Sequence, residues 1–256
     1  MELYYLIVFF MFGLIFGSFY NVVGYRIPNN ISLISPPSHC PNCNHRLTPL
    51  ELIPVLSYVF QGGKCKNCKK KIAMFYPIFE LFTGIVFALI YKIFGISIDT
   101  FIALIFASML LIIMISDFLY MIIPDEVLLF CGILIFILKL VSGGINVLVP
   151  TLIDMVIPFI VLLLIKLIGD KLFKRESMGG GDIKLMIIFG MVLGWEVSLF
   201  TIVLASFIAL PTTLIMMKII KNNSHELPFG PYLSSAALIC LLTRLDITTI
   251  LQFLGF

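Results

Sequence analysis

Apolar runs long enough to cross a lipid bilayer recur along almost the whole of this chain, and they leave few folds open to it. A helix needs about 20 apolar residues to span the hydrocarbon layer. The 256-residue sequence is 61% hydrophobic and only 12% charged, against roughly 25% charged in a soluble globular domain. The runs occupy 3–19, 77–94, 101–116, 127–141, 147–168, 183–193, 197–217 and 231–242. The fold expected is an all-α polytopic membrane protein of about eight transmembrane helices. The first run has no basic segment before it and no small-residue cleavage site after it, so it is expected to be retained as a span. One polar stretch, rich in Pro, Asn, Cys and Lys, is long enough for a small extramembrane insertion between helices 1 and 2. The chain therefore divides into a first span with its polar exit (1–28), the insertion (29–76) and a membrane-embedded core (77–256).

Loop lysines and arginines give the orientation. With the N-terminus outside, Arg26, Arg46, Lys64, Lys66, Lys69, Lys70 and Lys71 of the insertion are cytoplasmic. So are Lys166, Lys171, Lys174, Arg175 and Lys184, and Lys218 and Lys221. That leaves Lys92, Lys139 and Arg244 elsewhere, and eight spans satisfy the bias throughout. The insertion, the loop before 183, the loop after 116 and the segment 224–231 all fall on the cytoplasmic face.

In Met178-Gly179-Gly180-Gly181-Asp182-Ile183-Lys184 an acid follows three glycines at the mouth of an apolar run. Glycine removes side-chain bulk and tolerates backbone angles closed to other residues, so another chain can come close to the carboxylate. An ionisable group at the edge of a span marks a functional site, because burying its charge is expensive. Asp117, which ends the third span, is placed at the same depth. Two carboxyl groups so placed can share a proton, one acting as general acid and the other as general base on a water, and they titrate as a pair. This is the chemistry of peptide hydrolysis without a metal. The plainer reading makes each acid a helix cap or a topology marker. Asp125, after Pro124, suits that reading as a turn and the start of the fourth span. Asp154, near Pro158, reads as an interfacial acid rather than a relay.

Cys40-Pro41-Asn42-Cys43 and Cys65-Lys66-Asn67-Cys68 form two knuckles in a cytoplasmic loop. They predict a tetrahedral Zn site, since a reducing compartment disfavours disulfides. Four protein ligands leave no open position, so the zinc is structural. An insertion of this size buries little core, and metal takes its place. His39 and His45 flank the first knuckle without being needed as ligands, and His225 has no assigned role. Cys131 and Cys240 lie within spans as packing residues. Lys69-Lys70-Lys71 suits anionic lipid rather than nucleic acid, given the bilayer beside it.

These motifs together resemble, essentially end to end, the bifunctional type IV prepilin peptidases, membrane aspartic proteases of the GxGD type. Gly17-Ser18-Phe19-Tyr20-Asn21-Val22-Val23-Gly24-Tyr25-Arg26-Ile27-Pro28 is similar to the family's GSFxNVxxxRxP opening, and the cysteine knuckles to its insertion. Glu51-Leu52-Ile53-Pro54-Val55-Leu56-Ser57-Tyr58 and Tyr76-Pro77-Ile78-Phe79-Glu80 resemble two further segments. Asp117 to Asp125, Gly179 to Lys184 and Pro228-Phe229-Gly230-Pro231-Tyr232 resemble D-x6-P-D, GxGDxK and PFGPY. Ser116 departs from the family's usual Ile.

The resemblance implies an enzyme of the bacterial inner membrane. It would cut prepilin or pseudopilin precursors after a glycine at the cytoplasmic face and then N-methylate the new terminus with S-adenosylmethionine. It makes Asp117 and Asp182 the catalytic pair, Gly179, Gly180, Gly181 and Lys184 the active-site loop, and Gly63-Lys64 a methyl-transfer element. Lys64 directly precedes a knuckle, so zinc would fix its position. Glu51 and Glu80 are conceivable partners without an assigned role. The complete insertion implies both activities rather than the protease-only form. A proton-coupled transporter would place acids near mid-span and show inverted repeats, and a zinc-bearing scaffold would leave the aspartates idle.

Overall fold

In the computed structural model every apolar run folds as a helix: α1 (Glu2–Arg26), the five-residue α2 of the insertion (Leu56–Phe60), α3 (Phe75–Phe94), α4 (Ile98–Tyr120), α5 (Asp125–Gly143), α6 (Leu148–Phe173), α7 (Gly180–Leu193), α8 (Trp195–Ile219) and α9 (Gly230–Thr243). The structure describes residues 1–174, 176–219 and 228–246; Arg175, Lys221, His225 and most of the segment 224–231 lie outside the described residues. Among the described residues, five helical segments are long and apolar enough to cross a membrane, one of them the 49-residue stretch Asp125–Phe173 that holds α5 and α6. Helices α7 and α9 have 14 residues each, about 21 Å at 1.5 Å per residue. That falls short of a hydrocarbon layer of roughly 30 Å.

The chain forms two compact units, Met1–Thr100 and Phe101–Phe256. In the first, α1 packs along α3 at backbone distance. A methyl group added at Gly13 would sit 2.7 Å from Gly84 Cα and from the Thr83 carbonyl oxygen. One added at Gly17 would sit 2.9 Å from Thr83 Cβ and 3.0 Å from Glu80 Cα. Apolar side chains gain nothing by leaving lipid for each other, so helices in a bilayer associate through close packing, and glycines four apart permit it. Tyr91 stacks on Phe9 at 4.8 Å at the other end of the pair. The outward side chains of α1, among them Phe12, Ile15 and Phe19, are large, apolar and exposed, as a lipid-facing surface requires. The buried Arg26 donates to the carbonyls of Ser32 and Leu33 and so turns the chain out of α1 into the insertion.

In the second unit α7 contacts α5, α6, α8 and α9. It carries fully buried Leu185, Met186 and Phe189, and Phe189 meets Phe106 of α4 edge to face at 5.6 Å. Its contact with α6 is as close as the α1–α3 pair. Pro158 has no N–H to bond the Asp154 carbonyl four residues back, and Gly190 of α7 lies directly on that carbonyl, leaving no room for a Cβ. The Asp154 carboxylate accepts the Trp195 N–H at the start of α8 at 3.4 Å, in keeping with a terminal acid rather than a relay.

Replacing Gly13 with Leu is expected to force α1 and α3 apart. An overpacked contact of this kind costs about 1–3 kcal/mol. Reversible unfolding in detergent should show a loss of that size, while the lipid-facing change Ile15→Leu leaves the midpoint unchanged.

Candidate active site and metal centre

Two groups of polar residues stand out from the apolar helices, one in each unit. In the first unit the Sγ atoms of Cys40, Cys43, Cys65 and Cys68 all lie within 4.8 Å of one another, with Cys40–Cys68 at 3.8 Å and Cys43–Cys65 at 3.9 Å. A tetrahedron of thiolates about 2.3 Å from a zinc ion has edges of roughly 3.8 Å, so the four residues fit such an ion. The two knuckles are built alike. Cys40 N–H donates to His45 O and Asn44 N–H to Cys40 O, while Cys65 N–H donates to Lys70 O and Lys69 N–H to Cys65 O. Asn44 and Lys69 occupy equivalent left-handed positions, at φ 54° and 58°. Lys70 of the second knuckle donates to Asn42 of the first at 2.7 Å. N–H groups of Asn42 and Cys43 favour the Cys40 thiolate and hold that thiol down to about 6.

Neither His39 nor His45 belongs to the cluster. His39 pairs with the Pro37 carbonyl. His45 Nε2 lies 3.2 Å from Glu51 Oε2, the oxygen that also accepts the Thr48 N–H at 3.0 Å and the Thr48 hydroxyl at 2.8 Å. The Thr48 donors first, and then His45, hold the Glu51 carboxyl down to about 2. Stability from this clamp is full above the ordinary carboxylate range and is lost only as pH falls through it towards 2. Gly63 adopts φ 67°, a conformation that costs other residues, and a Cβ there would lie 2.8 Å from the Tyr58 hydroxyl oxygen. Gly63-Lys64 thus enters the second knuckle through a turn that only glycine fits.

In the second unit Asp117 occupies the last turn of α4 and Asp182 the first turn of α7, and both are buried. Asp117 Oδ2 accepts the N–H of Gly230, the first residue of α9, at 2.9 Å. A Cβ at Gly230 would fall 2.6 Å from that oxygen. The Asp182 Oδ1 is buried without a hydrogen-bond partner among the described residues. Ser116 is fully buried, and its hydroxyl donates to Ile122 O in the loop that follows.

The three glycines serve in different ways. None takes a positive φ, and Gly179 is extended at φ −64°, ψ 142°, so unusual backbone angles are not the reason for them. A Cβ at Gly181 would overlap Ile123 of the same chain, whereas at Gly180 it would meet nothing within 4 Å among the described residues. Lys184 points to Asp125, with both carboxylate oxygens 2.7 Å from Nζ and both side chains about half exposed. It ties α7 to α5 at the start of α5. The Gly230 N–H was not foreseen as part of this site, because main-chain donors leave no mark in side-chain chemistry; the Pro228–Tyr232 motif was the available signal.

Comparison with known proteins gives a consistent picture. Residues 11–94 match the Bacterial Peptidase A24 N-terminal domain, and residues 104–214 match the Type IV leader peptidase family. The chain is 37% identical over 238 residues to a prepilin leader peptidase/N-methyltransferase of Bacillus subtilis, covering 92% of this chain and 93% of the relative. It is 32% identical to the Pseudomonas aeruginosa protein of the same name, covering 96% and 93%, and 31% identical to that of Aeromonas hydrophila, covering 93% and 91%. No solved structure matches.

The sulfur geometry predicts about one zinc per chain held by four thiolates. Elemental analysis of the purified protein should give that ratio, and Cys40→Ser with Cys65→Ser should bring it close to zero.

Proposed function

The chain belongs to the type IV leader peptidase family, and on that premise we propose that it removes the leader peptide of type IV prepilins or pseudopilins and N-methylates the residue exposed. Cleavage follows a glycine at the cytoplasmic face of the bacterial inner membrane, with the N-terminus of the enzyme outside; about eight helices cross the bilayer, which thins around the 14-residue α7 and α9. Asp117 and Asp182 are its catalytic pair. Zinc in the four-cysteine cluster is structural. S-adenosylmethionine supplies the methyl group.

The observation that carries this reading is a pair of buried carboxyl groups, one ending α4 and one opening α7, with an oxygen of Asp182 left without a partner among the described residues. A buried polar atom without a partner calls for an explanation; a water or a scissile carbonyl supplies one. One carboxylate takes a proton as the water oxygen bonds to the carbonyl carbon. The other carboxyl gives its proton to the departing amine nitrogen as the C–N bond breaks. The products are a leader with a new carboxyl end and a mature chain with a free amine. Asp117 is aimed by the Gly230 N–H. The open side of Gly180 admits an extended peptide, and the Lys184–Asp125 pair braces the helix that carries Asp182.

Methylation moves a methyl group from the sulfonium of S-adenosylmethionine to the new amine, which gives up a proton as S-adenosylhomocysteine leaves. Gly63-Lys64 is assigned to this step, and its glycine-specific turn beside the second knuckle supports the assignment.

The purified protein, incubated in detergent with a precursor peptide and S-adenosylmethionine and read by mass, tests both halves. Asp117→Asn and Asp182→Asn should each slow cleavage by roughly 10²–10⁴-fold or more without unfolding the protein. Gly230→Ala, which displaces the Asp117 carboxylate, should cost about 10²-fold. Retained cleavage in both aspartate variants overturns the assignment. Lys64→Ala should abolish methylation and leave cleavage intact.

A further inference from the structure

Outside the aspartate pair, the first unit buries a carboxyl group that neither reaction uses. Glu80 lies one turn inside α3 and is 8% exposed. Its Oε2 accepts the N–H of Val55, in the insertion, at 2.7 Å. The α1 backbone presses against it, since a Cβ at Gly17 would be 3.0 Å from Glu80 Cα. Glu80 thus joins three segments: both membrane helices of this unit and the loop between them.

The residue it grips is strained. Val55 stands at φ 60°, ψ −51°, and the Leu56 N–H closes back on the Pro54 carbonyl at 2.6 Å. This is the γ-turn of positive φ, which is rare and costly, and for a β-branched residue it is a true outlier. Such a conformation persists only where its surroundings over-determine it, and it clusters at functional sites. The Val55 turn starts α2. Tyr58, on that helix, packs its ring against Gly63, and the Gly63 N–H donates to the Tyr58 carbonyl at 2.9 Å. The Ile72 N–H in turn donates to the Gly63 carbonyl at 2.8 Å, beyond the second knuckle. A continuous series of contacts therefore runs from Glu80 through Val55 and Tyr58 to Gly63-Lys64.

We propose that Glu80 is a positioning residue for methyl transfer, holding the Val55 turn so that Gly63-Lys64 is presented at a fixed place relative to the α1–α3 pair. The proposal rests on the assignment of Gly63-Lys64 to that step. What Glu80 supplies is a hydrogen-bond acceptor of the right length; Gln keeps the acceptor, Asp falls one methylene short, and Ala removes it.

Rates of cleavage and methylation on one precursor peptide separate the possibilities. Glu80→Ala and Glu80→Asp should slow methylation by about tenfold or more, with cleavage within about twofold of the starting protein. Glu80→Gln should keep both activities. Val55→Gly added to Glu80→Ala should restore methylation, because glycine adopts the turn without strain. Equal loss of both activities in Glu80→Asp, unchanged methylation in Glu80→Asp, or a Gln variant as impaired as the Asp variant each overturns the proposal, and the Asp–Gln contrast decides even where the Ala variant does not fold. Lys64→Ala is run beside them. Should it methylate normally, the assignment of Gly63-Lys64 fails. Should it fail to methylate while Glu80→Asp does so normally, the inference about Glu80 fails alone.

Discussion

A carboxyl group among apolar helices is costly unless a donor meets it, and helix ends are where unpaired main-chain N–H groups are found. The second unit is arranged around that constraint. Asp117 lies in the last turn of α4 and Asp182 in the first of α7. The donor for Asp117 is the N–H of Gly230, 113 residues away and first in α9. Each of α7 and α9 has 14 residues, so a polar helix end comes within a buried setting that a full-length span would carry past it. Short helices and buried acids are thus two aspects of one solution.

Close backbone contact is the second recurring device. Gly13, Gly17 and Gly84 bring α1 onto α3, and Gly190 brings α7 onto the carbonyl that Pro158 leaves free in α6. In lipid this is how helices gain attraction at all. It also places Glu80 and Asp182 firmly, because the elements carrying them have little room to slide. At Gly181 the space is taken by Ile123, and at Gly180 no described residue fills it. The same residue type therefore serves packing at one position and access at the next.

The helices were legible because their apolar runs are long and bounded by Pro, Gly and charge; the run at 183–193 gained its opening residues from the glycine loop, as α7 begins at Gly180. The four cysteines were legible too, since their spacing carries the geometry with it. Lys184 was read with the active-site loop, yet its long stem takes it to Asp125, a choice that no local pattern determines. The glycines before Asp182 suggested both small size and unusual backbone angles, and it is the small size that the structure uses. The approach of Gly13 and Gly17 to α3 was not legible, because two small residues in a sequence do not name the helix they meet. Val55 was the least legible of all. A β-branched residue after proline gives no hint of a positive φ, and the carboxylate that holds its N–H comes from another helix.

The insertion shows why such a residue is needed. Between α1 and α3 the described chain forms only the four-residue 3₁₀ turn Pro49–Leu52, the five-residue α2 and two isolated bridges, and it leaves Leu50, Val59 and Phe60 exposed. A segment with so little to bury must take its order from elsewhere. The cysteine cluster can order the knuckles, yet a knuckle fixed only within itself remains free to swing on its two connections. Thr48 and Glu51 close one turn locally, which leaves the same freedom. Of these contacts, the one from Val55 to Glu80 reaches from the insertion into the helix pair. It ties a locally ordered loop to the α1–α3 pair, which the positioning role proposed for Glu80 requires.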